Sequence, residues 1–199
     1  MQRELHYCPT CGAPMSREIP PGDDRERYVC SRDGEIFYQN PLVVVGTVTE
    51  HDGRILLCRR AIEPRAGFWT LPAGFLELGE TTAEAGLRET REEALAEVEL
   101  GPLFALFNVA HIGQVHMFYR ATLPRADGHA AGPESAETAL VAPGDIPWRQ
   151  LAFPTIHRAL ERYLADRERG EFGLHTDDLG RESWHGILDR EPEQPIEWG

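Results

Sequence analysis

Three glutamates, Glu89, Glu92 and Glu93, stand at i, i+3 and i+4 in this chain, a spacing that a helix turns onto one face. Left uncompensated, such like charges repel by roughly a few tenths of a kcal/mol per pair. A divalent cation converts that repulsion into a ligand set, because carboxylate oxygens are hard donors suited to Mg²⁺ or Mn²⁺. The competing reading is a solvated face, with Arg88 pairing Glu84 and Glu92 at i±4. A second cluster is sulfurous. Cys8-Pro9-Thr10-Cys11-Gly12 has zinc-knuckle spacing, Cys30 follows after eighteen intervening residues, and the fourth ligand position falls on Asp33. A carboxylate is an acceptable zinc ligand, so a site of three cysteines and one aspartate is chemically sound. His6 is a second candidate for the fourth place, and a ribbon that has lost its metal is the alternative. Cys58 lies inside an apolar strand pattern and reads as a small core residue. His111 and His116 flank a strand; a place at a sheet edge is favoured for each over a place in a pocket wall.

The elements that must position these groups follow from periodicity. Leu42-Val43-Val44-Val45 and Arg54-Ile55-Leu56-Leu57-Cys58 are strand runs, and His51-Asp52-Gly53 between them signals a hairpin turn. Residues 68–75 read as one short strand running into a Pro-Ala-Gly turn. Residues 81–95 are dense in Ala, Leu, Glu and Arg, which predicts a helix capped by Thr81 or Thr82. Residues 98–108 and 115–123 are strands; in the second, Val115, Met117, Tyr119, Ala121 and Leu123 alternate onto one face. Residues 124–132 form a loop and 138–141 a last short strand. Ile156, Ala159, Leu160, Tyr163 and Leu164 take the spacing of a half-buried helix. Strands mixed with two helices make an α/β or α+β layered domain.

From Gly74, five residues lead to Glu80, seven more to Arg88-Glu89, and then Thr90, Arg91, Glu92-Glu93, Ala94, Leu95 and Ala96. This resembles the Nudix box, with every charged position matched. Thr90 stands where an aliphatic residue is usual, and Leu95 replaces the final glycine. The preceding Trp69-Thr70-Leu71-Pro72-Ala73-Gly74 resembles the strand that leads into the box. Over about residues 40–165 the resemblance implies a Nudix α/β/α sandwich with a mixed β-sheet, here preceded by a small zinc-ribbon-like segment. It implies Mg²⁺- or Mn²⁺-dependent hydrolysis of a nucleoside diphosphate linked to another group. In the family pattern Glu89 and Glu93 are metal ligands, Glu92 is a ligand or its neighbour, and the carbonyl of Ala73 or Gly74 adds an oxygen. Arg88 would orient the glutamates and pair with Glu80. A general base often comes from a later loop, where Glu134 and Glu137 are both candidates. The Cys8, Cys11, Cys30, Asp33 segment resembles the zinc ribbon that precedes some Nudix domains.

Within that family, the NADH pyrophosphatases carry a further Ser-Gln-Pro-Trp-Pro-Phe-Pro-type motif after the box, and residues 96–108 contain nothing of the kind. Tyr38-Gln39-Asn40-Pro41, Arg60-Ala61-Ile62 and Ile146-Pro147-Trp148 are similar to a ribbon-bearing group related to ADP-ribose and FAD pyrophosphatases. The expected substrate is therefore an ADP-containing small molecule such as ADP-ribose or FAD, releasing AMP, with Phe68, Trp69 and Phe107 as candidates to stack on a base. Clean-up of modified nucleoside triphosphates and non-catalytic nucleotide sensing are the alternatives; retention of all three clustered carboxylates favours the enzyme.

Composition bounds what remains. The chain has 199 residues, 20 basic against 33 acidic, a net charge of −13. That disfavours nucleic-acid backbones and anionic membrane surfaces as partners, since both call for clustered Lys and Arg. No run approaches the ~20 apolar residues of a membrane span, residues 1–20 lack a signal-peptide core, and four cysteines do not make a disulfide scaffold; a cytoplasmic location is expected. Many relatives are dimers, which leaves a homodimer open. Residues 1–39 form the ribbon-like segment and 40–168 the Nudix domain. Residues 169–199 form an acidic, largely irregular tail, net −6 from Gly170 onward, which Phe172, Trp184 and Trp198 could tack onto the body.

Overall fold

The structure, a computed structural model, describes residues 4–184 and divides into two units at Pro41/Leu42. In the first, β1 (Met15–Glu18), β2 (Arg27–Cys30) and β3 (Ile36–Phe37) pair antiparallel in that order. Among the described residues, the buried hydrophobic cluster of this unit is Cys8, Ala13 and Cys30, and Val29 of β2 is buried as well. So little apolar burial leaves cross-linking as the main available source of stability.

In the second unit, β4 (Leu42–His51) and β5 (Arg54–Arg60) form the expected hairpin. Asp52 and Gly53 take φ of 45° and 78°, both left-handed, as a two-residue turn between right-twisted strands requires. Residues 68–75 are two strands rather than one. β6 (Trp69–Thr70) pairs with β5, and β7 (Ala73–Phe75) pairs with β4. Leu71-Pro72 separates them, because Pro72 has no N–H to give to a ladder. β8 (Glu99–Val109), β9 (Gln114–Thr122) and β10 (Ser135–Val141) complete the body, and β11 (His175–Asp178) lies at the edge. The order is β10-β5-β4-β9-β8-β11, with β4/β9 and β8/β11 parallel and the other neighbours antiparallel. The sheet is therefore mixed.

The alternation expected along β9 does not separate core from solvent. His116 and Phe118 are buried on one face while Met117 and Tyr119 are half-buried on the other. β9 is a central strand, covered by helices on both faces, so both sets of side chains are enclosed. Helix α1 (Thr82–Ala94) lies on the Tyr119 face, where Thr82 Oγ1 and Tyr119 OH are 2.7 Å apart. Helix α2 (Pro154–Arg169) covers the other face, packing Ile156, Ala159 and Leu160 with Phe118.

Of the two capping candidates the structure selects Thr81, which accepts from the Glu84 N–H while Glu84 accepts from the Thr81 N–H. The unusual Thr90 is fully buried, donates to the Gly86 carbonyl at 2.7 Å, and meets Thr47 Oγ1 at 2.7 Å. Its hydroxyl is thus satisfied in the place of an aliphatic side chain. Leu95 ends the helix in the left-handed region at φ 47°, which strains a residue with a Cβ by roughly 1–2 kcal/mol. It is 53% exposed, so little packing offsets the strain. Leu95→Gly should therefore stabilise the protein by about 0.5–1 kcal/mol, read as a rise in Tm; a fall would contradict this account of the helix end.

The expectation of a largely irregular tail needs correction within the described residues. α2 ends on Gly170 at φ 72°, and the chain folds back so that β11 pairs with β8 from His175↔Ala105 to Asp178↔Asn108. The fully buried Asp166 holds this return, accepting from the Gly173 N–H at 3.1 Å and meeting His175 Nε2 at 2.7 Å, with Arg169 also paired to it. Arg162 pairs with Asp177 at 3.0 Å, and Phe172 lies 5.3 Å from the Tyr163 ring. A strand reading His-Thr-Asp-Asp has no apolar period because backbone pairing and ion pairs, not its own burial, hold it. Trp198 and the Trp184 side chain lie outside the described residues. Among the described residues, no helix is long and apolar enough to cross a membrane.

Candidate active site

A cavity of about 1080 Å³ opens among α1, β7, β9, the loop ahead of β10 and the first turn of α2. Glu89, Glu92 and Glu93 all line it. Their environments differ. Glu89 and Glu93 are only 8% and 6% exposed, whereas the Glu92 side chain is 57% exposed and accepts from Arg88 Nη1 at 3.0 Å. Burial pushes the Glu93 carboxyl up to about 7, against the Ala73 N–H that donates to its Oε2 at 3.1 Å; the nearby Glu89 and Glu134 charges add to the rise. Burial also raises Glu89, opposed by Arg88 and aided by Glu92 and Glu134. Two enclosed carboxylates that resist ionisation side by side are a donor set that a hard divalent cation would complete.

Arg88 organises the helix face. Its Nε and Nη2 donate to Glu80 at 3.0 and 2.7 Å, Nη1 donates to Glu89 at 2.7 Å, and Nη2 also donates to the Phe75 carbonyl at 3.0 Å. Those bonds, with the Glu77 N–H, hold the Glu80 carboxyl down to about 2. Gly74 passes against the Glu89 carboxylate so closely that a Cβ there would overlap it. Ala73 and Gly74 both line the cavity.

The structure separates the two candidate bases. Glu134 lines the cavity, on a loop tied to the end of α1 by the Gly132 N–H to the Glu93 carbonyl, 3.0 Å, and by the Ala130 N–H to the Ala94 carbonyl, 2.8 Å. Glu137 is not among the lining residues; it stands opposite Arg59 across β10 and β5, 3.8 Å from its guanidinium. The stacking candidates Phe68, Trp69 and Phe107 are buried in the body and do not line the cavity. The rings that do line it are Phe75, Phe118, Phe153 and His116. Arg60, Arg65, Arg91 and Thr155 also line it; the sequence assigns none of them a role at the site, since they come from β5, the loop after it, α1 and α2 and converge only in the fold. His111 is not a lining residue. Cys58 is fully buried as expected.

In the first unit the sulfurs of Cys8, Cys11 and Cys30 all lie within 4.8 Å of one another, with Cys11 and Cys30 Sγ at 3.5 Å as free thiols. Burial opposes ionisation of Cys8, but the backbone N–H groups of Cys11 and Thr10 together with the Cys11 and Cys30 thiols bring it below the ordinary thiol value. Burial pushes Cys30 up to about 11, against the N–H groups of Asp33 and Arg32. Amides turned toward clustered sulfurs on both knuckles suit a thiolate-bound zinc ion. Asp33 does not join the three sulfurs within that 4.8 Å group. Its carboxylate instead engages the Cys30 thiol and the Glu35 N–H, the latter at 3.1 Å. His6 is exposed beside Glu4.

Comparison with known proteins agrees with this layout. Residues 6–39 match the zinc-ribbon family model described as Nudix N-terminal, and residues 39–163 match the NUDIX domain model. A crystal structure of a NUDIX hydrolase from Nitrosomonas europaea is 43% identical, superposes with a TM-score of 0.85, and covers 88% of this chain and 99% of that one. The ADP-ribose pyrophosphatase of Methanocaldococcus jannaschii is 46% identical over 57 residues, which is 29% of this chain and about a third (34%) of that protein. The CTP pyrophosphohydrolase of Escherichia coli is 34% identical over 116 residues, 52% of this chain and 85% of that protein. With the domain model spanning well over half its length, this chain belongs to the Nudix family.

Proposed function

We propose that the protein is a pyrophosphohydrolase acting on an ADP-containing substrate such as ADP-ribose or FAD, with AMP as one product. The observation that carries this reading is the composition of the cavity: enclosed carboxylates of α1, arginines Arg60, Arg65 and Arg91, and a wall of aromatic and aliphatic side chains. A diphosphate calls for cation and guanidinium contacts, and a base calls for apolar contact. Glu89 and Glu93, with Glu92 at the cavity mouth and the Ala73 carbonyl, would hold Mg²⁺ or Mn²⁺. When bound, that ion neutralises diphosphate charge and lowers the pKa of water. Glu134 takes the proton of the water that attacks phosphorus; the P–O bond of the bridge breaks, and its electron pair leaves with the second phosphate. Arg88 holds Glu89 and Glu92 in place.

The test is a panel of ADP-ribose, FAD, NADH and nucleoside triphosphates with Mg²⁺ or Mn²⁺, products read by chromatography. AMP from ADP-ribose or FAD is expected. Triphosphates cleaved much faster would overturn the substrate assignment in favour of the activity that the Escherichia coli relative's name describes.

For the ribbon we infer a zinc ion on Cys8, Cys11 and Cys30, with Asp33 as the nearest candidate for a fourth ligand. Protein purified without chelator should contain about one zinc per chain, and Cys11→Ser should lose it. Proteolysis should then cut residues 1–39 sooner, while turnover changes little. A zinc-free wild type would reject the site.

A further inference from the structure

The helix and the loop that carry the candidate catalytic groups are fastened to each other through main chain. Helix α1 ends at Ala94, and the last four carbonyls of a helix have no partner within it. Two of them are met from elsewhere: the Ala130 N–H donates to the Ala94 carbonyl at 2.8 Å, and the Gly132 N–H donates to the Glu93 carbonyl at 3.0 Å. The loop that carries Glu134 thus closes the end of the helix that carries Glu93. Glu93 takes part twice, its carbonyl holding the loop while its residue also lines the cavity.

The approach is closest at Gly132. This residue is buried, and a Cβ on it would overlap the Glu92 carbonyl oxygen and crowd the carbonyl carbons of Glu92 and Glu93. Those are main-chain atoms of a helix whose Glu93 and Ala94 are buried, and they cannot swing aside as a side-chain end can. Glycine lets two backbones come this near. From Gly132 the chain turns tightly: the Ser135 N–H donates to the Gly132 carbonyl at 3.0 Å, so Pro133 and Glu134 form the corners. Proline suits the first corner, where its fixed φ is already that of the turn. The Ala61 N–H donates to the Glu134 carbonyl at 2.8 Å, and Pro133 and Glu134 are both exposed and line the cavity. The turn is therefore held on two sides, by α1 at Gly132 and by the residue after β5 at Glu134.

We propose that Gly132 is a positioning residue for hydrolysis: its lack of a side chain seats the turn against α1 and so sets Glu134 within reach of the attacking water. The proposal rests on the reading of Glu134 as the general base, and it accounts for how a base on a loop keeps its place beside the cation ligands. A base must stand within hydrogen-bond reach of the proton it takes, and a misplacement of about 1 Å costs on the order of a hundredfold. With alanine at 132 the packed helix stays and the exposed turn gives way.

The experiment is a double-mutant cycle with Gly132→Ala, Glu134→Gln and both together, on ADP-ribose or whichever panel substrate is cleaved fastest. Gly132→Ala should lower kcat by about ten- to a hundredfold with KM within about threefold. Mn²⁺ binding to the resting protein, read by calorimetry, should be unchanged; weakened binding would place the damage at the cation ligands and overturn the proposal. In the Glu134→Gln background the same substitution should change kcat by no more than about twofold, since the group it misplaces is already gone. A merely structural glycine would lower kcat by the same factor in both backgrounds, and that result overturns the proposal, as does a Gly132→Ala protein with wild-type kcat. Should Gly132→Ala not fold, Pro133→Gly, which loosens the exposed corner, takes its place in the cycle. Its kcat should fall by about threefold or more with Glu134 present and not without it; an equal fall in both backgrounds rejects the proposal. Glu134→Gln with wild-type kcat removes the base and this role together while the substrate assignment stands. No turnover of any substrate in the panel is failure of the functional reading itself, and the role of Gly132 falls with it.

Discussion

Glu93→Gln should keep the fold and lower divalent-dependent turnover by on the order of a hundredfold or more. Glutamine keeps the size, and its amide oxygen can still accept the Ala73 N–H that Glu93 Oε2 accepts at 3.1 Å. What it removes is the negative charge beside Glu89. The sign of the pH effect distinguishes this from simple damage. The folded Glu93 carboxyl is raised to about 7 from an ordinary value of 4.5, so the fold favours the protonated form. Without divalent cation, wild-type stability should therefore decline as pH rises from about 4.5 to 7, and Glu93→Gln should not share that decline. At pH 8 the metal-free variant should unfold at a Tm no lower than wild type, while at pH 5 the two should converge. Glu84→Gln is the control. Glu84 sits in the capping box at the start of α1, a role glutamine also fills, so turnover should be unchanged. Near-normal turnover of Glu93→Gln with unaltered Mg²⁺ dependence would show that Glu93 does not hold the catalytic cation.

Gly74→Ala should separate activity from stability in the opposite way, through added bulk. A Cβ at Gly74 would overlap the Glu89 carboxylate. That group is the far end of a flexible side chain, so it swings aside at little cost to the fold. In doing so it leaves the place where Arg88 Nη1 holds it at 2.7 Å. We expect kcat to fall by about ten- to a hundredfold, since displacing a catalytic group by an ångström costs that much. The Mg²⁺ concentration for half-maximal rate should rise, and Tm should move by only a few degrees. A large drop in Tm with kcat per folded molecule unchanged would show that Gly74 serves packing alone.

The catalytic helix is legible in the amino-acid sequence because its information is local. The 3.6-residue period sets Glu89, Glu92 and Glu93 on one face, Thr81 and Thr82 both offer a cap, and the spacing from Gly74 through Glu80 to Arg88 carries the family resemblance. The hairpin at Asp52-Gly53 and the apolar stripe of α2 are legible for the same reason. Tertiary structure alone decides the rest. Glu134 and Glu137 are three residues apart and chemically identical; which one faces the cavity depends on the loop's tie to the end of α1 and on the position of Arg59 across the sheet. Phe68, Trp69 and Phe107 carry the chemistry to stack on a base, but all three are buried in the body, and the rings that line the cavity are instead Phe75, His116, Phe118 and Phe153. β11 has no apolar pattern, because the buried Asp166, Arg162 and the open edge of β8 hold it. His116 and Thr155 come from a central strand and a helix start 39 positions apart. Both residues line one cavity, and no local pattern encodes the packing that brings them there.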